Sequence, residues 1–436
     1  MISSFVGMIL LLQTSFRTAT AWTLSSSTHP YRHVMTSSTK GLTVTKMSLL
    51  DDITNTMQRA FSVATSSSAS SSSKYYTIGI TGSTGLVGTA LMDELERKKT
   101  LYGKSIRIVQ LTRTKTNNND DVATTNEDGS SLFPNESSTD ENSKIMKTSV
   151  GWNPNSSSTF VVDPNVLTQL DAVIHLAGEN VATGLGPLGF LGIRPWTPEK
   201  KASIIDSRVG PTEKLAQAIS AIDSKTRPIQ FLVASGVGIY GNDFYWNGNN
   251  KEKEDAVDES ANVDSTKGFL ADISRQWEAA SQKLDASSSH RVVQCRFGVV
   301  LSRNGGALGK LYPIFWLGGG GRVGSGQQYF TFISARDAAR ALVHTLETPS
   351  LSGPVNVCAP VPCTNGEFTS AMGTVLQRPT VLPLPGFAVS LLFGEMGDEM
   401  LLGGVKAIPT KLLRSGFQFR HKTIQEAIQS AIEENI

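Results

Sequence analysis

Apolar residues alternate at Tyr76, Ile78 and Ile80, the pattern of a short buried strand. The chain then passes through Gly82, Gly85 and Gly88 into a helical stretch over Thr89–Lys99. Further apolar runs bounded by turn residues predict strands at Ile106–Leu111, Ala172–Ala177, Phe231–Ser235 and Val292–Val300. Thr197-Pro198 opens a long predicted helix to about Ile222, with Thr as N-cap and Pro at the first helical position. Another helix is predicted over Thr266–Leu284. Strand–helix alternation from 75 to 300 implies an α/β fold with a doubly wound parallel sheet, which Val292–Val300 closes. Beyond 300 the elements become short and rich in Gly and Pro, so 301–436 reads as a smaller C-terminal α/β lobe.

Polar text interrupts this pattern twice. Residues 114–149 and 242–264 are rich in Asn, Asp, Ser and Thr, and read as insertions that cannot build a core. The N-terminus is different again. Phe5–Leu12 is an apolar run too short to span a bilayer, followed by Ala19-Thr-Ala21 and then Trp22. Residues 23–47 are Ser/Thr-rich, mildly basic and free of acid. Residues 1–50 therefore read as a bipartite signal-plus-transit presequence directed to a plastid, with a mitochondrial presequence as the alternative. Over residues 48–61, Leu50, Ile53, Met57 and Phe61 recur at helical spacing, and the leader 51–74 continues into a Ser tract. No transmembrane segment is expected in the mature chain.

Charge alters this picture little. Lys and Arg number 40 against 38 Asp and Glu, a balance without the footprint of a nucleic-acid binder. Three cysteines are too few and too odd in number for a disulfide framework, and Cys358 and Cys363 read as ordinary thiols. The six histidines lack metal-ligand spacing, and His175 reads as a core residue. Asn135 and Asn155 open sequons in Asn/Ser-rich text where such matches arise by chance.

The chemistry gathers at the glycine turn. Gly82 permits the tight turn, Gly85 lets a backbone approach a pyrophosphate, and Gly88 lets helix and strand pack closely. Gly82, Ser83, Thr84, Gly85, Leu86, Val87 and Gly88 are thus the candidate phosphate-facing residues of a dinucleotide site. The second strand ends Gln110-Leu-Thr-Arg113 without an acid. A carboxylate there would repel a 2′-phosphate, whereas Thr112 and Arg113 can bind one, so NADP(H) is the expected cofactor. Leu176, Ala177 and Gly178 end another strand with small residues, and Ser235 ends the next. Arg208, inside the long helix, calls for an anion if it faces the sheet.

The spacing Gly82-x-x-Gly85-x-x-Gly88 resembles the extended short-chain dehydrogenase/reductase superfamily, which implies a Rossmann-type domain over 75–300. In active members a Tyr, with a Lys four residues later, relays a proton during hydride transfer. On that resemblance Phe269 and Ile273 stand at those positions, Arg208 at that of the usual Asn, and Ser235 at or beside that of the usual Ser. Tyr240 matches a Tyr that is not the catalytic one. Ser235, Tyr240, Lys267 and Asp272 are the nearby candidates for an unorthodox acid. The runs His175-Leu-Ala-Gly-Glu-Asn180, Pro195-Trp-Thr, Trp277-Glu-Ala-Ala and Arg296-Phe-Gly-Val-Val-Leu resemble one branch more closely. That branch is the atypical epimerase-family proteins (subfamily 39U), also labelled cell-division-inhibitor-like. The resemblance implies bound NADP(H), a small C-terminal domain of unassigned role and a link of plant members to plastid division. Two functions fit: an oxidoreductase or epimerase of unknown small-molecule substrate, or an NADP(H)-binding regulator or scaffold.

In the C-terminal lobe, Leu317–Gln327 is a glycine-rich loop without a Walker ending, readable as a substrate clamp or a mobile surface loop. Asp337 reads as a helix-start residue. Gly394–Glu399 pairs carboxylates near an apolar helix and reads as a solvated helix end, with a functional acid cluster as the alternative; Met396, Met400, Leu401 and Leu402 read as core or interface.

Overall fold

In the computed structural model the apolar runs line up as neighbouring strands of one eight-stranded sheet. The structure describes residues 73–113, 145–154, 161–182, 195–241, 256–284 and 287–433. The presequence 1–50, the leader to residue 72, both sequons, and residues 114–144 and 242–255 of the polar tracts lie outside them.

The N-terminal elements are β1 (Tyr75–Thr81), α1 (Leu86–Lys98), β2 (Thr100–Leu101), β3 (Lys104–Arg113), β4 (Met146–Trp152) and β5 (Ala172–His175). Helices α2 (Pro198–Asp206) and α3 (Val209–Ser220), β6 (Gln230–Gly236), α4 (Phe269–Ser281) and β7 (Arg291–Phe297) follow. Next come β8 (Val299–Leu301), α5 (Gly306–Trp316), β9 (Tyr329–Phe330), β10 (Phe332–Ser334), α6 (Ala335–Glu347) and β11 (Gly353–Val357). The described chain closes with β12 (Cys363–Thr364), α7 (Asn365–Leu376), α8 (Gly386–Gly397) and α9 (Ile424–Glu433).

The sheet order is β11-β7-β6-β5-β1-β3, with β4 parallel to β3 and the short β2 antiparallel to it. From β1 the chain builds outward through β3 and β4, then returns to β5 on the other side. That reversal between β1 and β5 is the switch point where doubly wound folds open a crevice beyond the strand ends. Alternation along the strands fills both layers. Tyr76, Ile78 and Ile80 pack with Leu91 and Leu95 of α1 and Leu342 and Leu346 of α6. On the opposite face Val109, Leu111, Val173, Phe231 and Val233 pack with Leu215 and Ile219 of α3 and Trp277 of α4. A separate core joins Leu308, Phe315, Phe332, Phe368, Met372 and Ile428.

Four expectations need correction. The sheet does not close at Val300: β7 ends at Phe297, β8 leaves to pair with β10, and β11 supplies the outer strand. Residues past 300 therefore complete the layer assigned to 75–300. The tract 114–149 runs into β4, whose polar first half hides a strand that buries only Val150 and Trp152. The tract 242–264 ends in packed chain, where Val257 N–H donates to Lys406 O and Ile408 N–H to Val257 O, both at 2.9 Å. The long helix breaks at Ser207–Arg208. There the Ser207 hydroxyl donates back to Ile204 O at 3.0 Å, and Arg208 N–H turns to Ile205 O. Thr197 does cap α2, accepting from Lys200 N–H.

Two C-terminal readings change as well. The glycine-rich loop is pinned, because Leu384 N–H donates to Arg322 O and Gly324 N–H to Leu384 O, both at 2.9 Å. Asp337 is fully buried and accepts from the backbone N–H groups of Arg420 and His421 and from Arg340. It starts its helix and ties the chain near residue 420 to it.

Candidate functional site

The turn between β1 and α1 is built by steric exclusion. Gly82 has φ +69°, and a Cβ there would lie 2.9 Å from Ala177 N and from Leu176 C. At Gly88 a Cβ would sit 2.1 Å from Gly82 O, so helix and turn approach as only glycine allows. The turn is locked by Gly85 N–H donating to Gly82 O at 3.0 Å. Gly85 is also the N-cap of α1, giving it no side-chain cap, and no acid stands in the first turn. A 13-residue helix with a bare, uncapped N-terminus at the strand ends is a ready anion site. Ser83 is buried and accepts from Gln110 Nε2 at 3.2 Å, which ties the turn to β3.

Thr81 and His175 bridge the switch point. Leu176 N–H and Ala177 N–H donate to Thr81 Oγ at 3.2 and 3.3 Å, so the Thr81 proton goes to His175 Nδ1 at 2.7 Å. The ring proton is then on Nε2, which has no hydrogen-bond partner among the described residues. The His175 ring meets Trp152 edge-on at 5.5 Å. Complete burial pulls its pKa down to about 3, so it is neutral and supplies no charge. The core reading of His175 holds for one nitrogen.

Most of the expected cofactor residues converge here. Leu176 and Ala177 touch the glycine turn. Gly178 lies under Arg208, where a Cβ would come within 3.1 Å of the guanidinium carbon. That guanidinium stacks over Trp277 at 4.9 Å and donates to Ile204 O and Ser207 Oγ. Burial lowers its pKa to about 10, and among the described residues no carboxylate lies within ion-pair distance. Thr112 and Arg113 are exposed at the end of β3, the strand beside β1.

The candidate acids do not converge. Ser235 donates to Glu278 at 2.8 Å. Glu278 holds Arg296 by two hydrogen bonds of 2.8 and 2.9 Å, Arg296 donates to Tyr240 Oη at 3.1 Å, and Tyr240 donates to Asn356 at 2.7 Å. Asn356 N–H in turn donates to buried Glu259 at 3.0 Å. Burial pushes the Tyr240 phenol up to about 12, against the pull of Arg296. Burial also pulls the Arg296 pKa down, but the bonds and charge of Glu278 outweigh it and the net shift is upward. This chain is closed on itself. Lys267 and Asp272 are exposed, and Asp272 pairs with Arg275. Phe269 and Ile273 pack with Ile204 and Trp196, with the Phe269 and Trp196 rings 4.8 Å apart.

Sequence reasoning missed the roles of Glu278, Arg296 and Asn356, and gave Glu399 a functional reading only as the alternative. A visible signal existed for two of them, since Arg296 interrupts an apolar strand and Glu278 follows a core Trp. Glu399 overturns the reading of a solvated helix end. It is 8% exposed and accepts from Phe269 N–H at 2.7 Å and Leu270 N–H at 3.0 Å. The N-cap of helix α4 is Gly268, which has no side chain, so a distant carboxylate caps it. Burial raises the Glu399 pKa, against the pull of those two N–H groups. Glu395 and Asp398 stay exposed.

All three cysteines are free and buried, and burial pushes the Cys295 thiol up to about 12. Among the described residues no cluster of His, Cys, Asp or Glu is arranged to hold a metal. No described helix is long and apolar enough to cross a membrane.

Residues 384–431 match the model of a domain of unknown function (DUF1731). Epimerase family protein Mb2239 of Mycobacterium bovis is 44% identical over 277 residues, which cover 64% of this chain and 82% of the relative. The SDR39U1 homolog of Arabidopsis thaliana, described as chloroplastic, is 31% identical over 82% of this chain and 87% of its own length. Among solved structures, human epimerase family protein SDR39U1 with NADPH aligns at a TM-score of 0.61 and 29% identity, over 82% of this chain and all of that one. A UDP-N-acetylglucosamine 4-epimerase from Bacillus cereus, at 14% identity and a TM-score of 0.54, shares the fold.

Proposed function

Because the chain belongs to the SDR39U1-type epimerase family, within the short-chain dehydrogenase/reductase superfamily, we propose that it binds NADP(H) in the crevice between β1 and β5. The observation that carries this is the glycine turn, where added Cβ atoms would strike backbone and α1 presents an uncapped N-terminus. The fit is good. Residues 82–88 would receive the pyrophosphate, Leu176–Gly178 would leave room for the nucleotide, and Thr112 and Arg113 would meet the 2′-phosphate. Arg208 would add a second cation beside Gly178. The NADPH of the human relative supports the choice of cofactor.

Bound nicotinamide supplies or accepts a hydride, and such transfer normally needs a positioned proton donor. If the resemblance read from the sequence holds, Phe269 and Ile273 stand in the Tyr and Lys positions, and neither side chain can relay a proton. Ser235 and Tyr240 are committed to the buried Glu278–Arg296 chain. We therefore read the chain first as an NADP(H)-binding protein with little turnover on ordinary carbonyls. Losing a general acid typically lowers rate about 10²–10⁴-fold. A second reading, an oxidoreductase or epimerase with its acid from the C-terminal segment, is favoured by Glu399, whose pKa burial raises at the start of α4.

The test is to watch protein-bound NADPH for oxidation against a panel of aldehydes, ketones and nucleotide sugars. Tight binding with negligible oxidation supports the first reading. Fast oxidation on any substrate, abolished in Glu399→Gln, supports the second. The plastid reading of residues 1–50 is supported by the chloroplastic Arabidopsis relative, and a fluorescent fusion of residues 1–60 tests it. Import into mitochondria instead would overturn it.

A further inference from the structure

Helix α8 is apolar on both sides, yet the protein covers only one. Val389, Phe393 and Met396 pack inward. Phe387 and Leu391, one turn apart, stand 77% and 81% exposed on the outer face. A helix that is apolar all round is normally buried all round. The neighbouring surface has the same character. Among the described residues nine large apolar side chains are exposed, and six of them gather here: Trp316, Leu317, Val381, Leu382, Phe387 and Leu391. Scattered single residues of this kind are normal, whereas a contiguous set marks a contact surface.

The backbone holds the six together. Arg378 Nε donates to Trp316 O at 2.9 Å, and Leu382 N–H donates to Gly320 O at 3.3 Å. Gly318 lies against Pro379, where a Cβ would come within 3.7 Å of the ring. Leu384 N–H donates to Arg322 O just before α8 begins.

Charge decides the occupant. Residues 306–327 and 368–394 carry the whole patch, and their charged residues are Lys310, Arg322 and Arg378, with no acid. Lys310 reaches away to Ala182 O, but Arg322 and Arg378 are exposed. The Arg378 guanidinium lies 5.8 Å from the centre of the Trp316 ring. The acids further along α8 and just past it, Glu395 and Asp398, are engaged by Lys201 and Ser390. A second copy docked on the same face would bring cations to cations without an acid to pair them. An anionic lipid surface takes the apolar side chains into its interface, where Trp is favoured, and sets its phosphates against the arginines. We propose that this face docks on an anionic lipid bilayer, lying on it without crossing it.

The test is flotation of the full chain with phosphatidylcholine vesicles, with and without phosphatidylglycerol. The chain should float with the anionic vesicles, far less with the neutral ones, and release as salt is raised. The double variant Phe387→Ser, Leu391→Ser should weaken binding about tenfold or more, and Arg378→Gln about fivefold. The unfolding temperature should not change, because these side chains are exposed. Failure to float with either vesicle overturns the proposal, and so does equal binding to both. Binding unchanged in the double variant would put the contact elsewhere, such as the apolar run Phe5–Leu12, and overturns it too. A dimer in solution that the double variant dissociates would give the face to a second copy, with the same consequence.

Discussion

Two polar assemblies lie at the C-terminal ends of the strands, and they treat hydrogen-bonding capacity in opposite ways. At the glycine turn, capacity is left over: α1 has no side-chain cap and no acid in its first turn, and Arg113 stands exposed at the end of β3. In the Ser235–Glu278–Arg296–Tyr240–Asn356 chain every link is spoken for, inside the protein. A site that binds an outside anion must keep donors free, whereas a buried structural network must satisfy its members or lose stability. The difference tells apart residues that resemble a catalytic set by sequence position from residues available to a ligand.

The comparison breaks most sharply at Glu278. Glu278→Ala strands a buried guanidinium, and we expect a loss of about 3–5 kcal/mol in urea denaturation. A loss below about 1 kcal/mol would mean that the network is solvated and its members free. Gly88→Val attacks the other assembly. Its side chain would meet Gly82 O, and NADPH affinity should fall by about 100-fold or more, as read by fluorescence titration. Near-native affinity would remove the turn from the binding site.

A smaller effect comes from His175, which links the two strands of the switch point. Its folded pKa of about 3 lies below the unfolded value, so between about pH 3 and 6.5 the unfolded chain binds a proton that the folded chain refuses. Stability contributed by this site is complete above pH 6.5 and falls as pH drops, with a limiting slope of about 1.4 kcal/mol per pH unit. The slope between pH 6 and 4 should shrink in His175→Gln, and an identical slope would contradict the assignment. The smallest expected effect is at the cap of α4. Glu399→Ala should cost about 1 kcal/mol in thermal unfolding, and Glu399→Gln, which keeps an acceptor, clearly less. Equal losses would mean that charge rather than capping holds the contact.

The legible parts of this molecule were those governed by local rules. The alternation at Tyr76, Ile78 and Ile80, the glycine turn and the Thr197 cap follow from period, sterics and capping, and each stands in the structure. The parts that escaped depend on partners far along the chain. β4 starts with polar residues because only its second half is buried. Glu399 reads as solvated until the bare N-terminus of α4, 130 residues earlier, is set against it. The roles of Ser235 and Tyr240 likewise could not be read from position, because Glu278 and Arg296 claim them only in three dimensions. Arg208 shows the middle case: the sequence leaves open what it faces, and the structure puts its guanidinium on Trp277 beside Gly178.

The central claim is that the crevice holds NADP(H) through donors kept free at the turn and at Arg113. Calorimetric titration of the chain with NADPH and with NADH, repeated on Arg113→Ala, tests it most directly. The account predicts one site that prefers NADPH, and in the variant a loss of about 10–100-fold for NADPH with NADH affinity unchanged. Failure of the wild-type chain to bind either nucleotide, or equal losses for both in the variant, would contradict it.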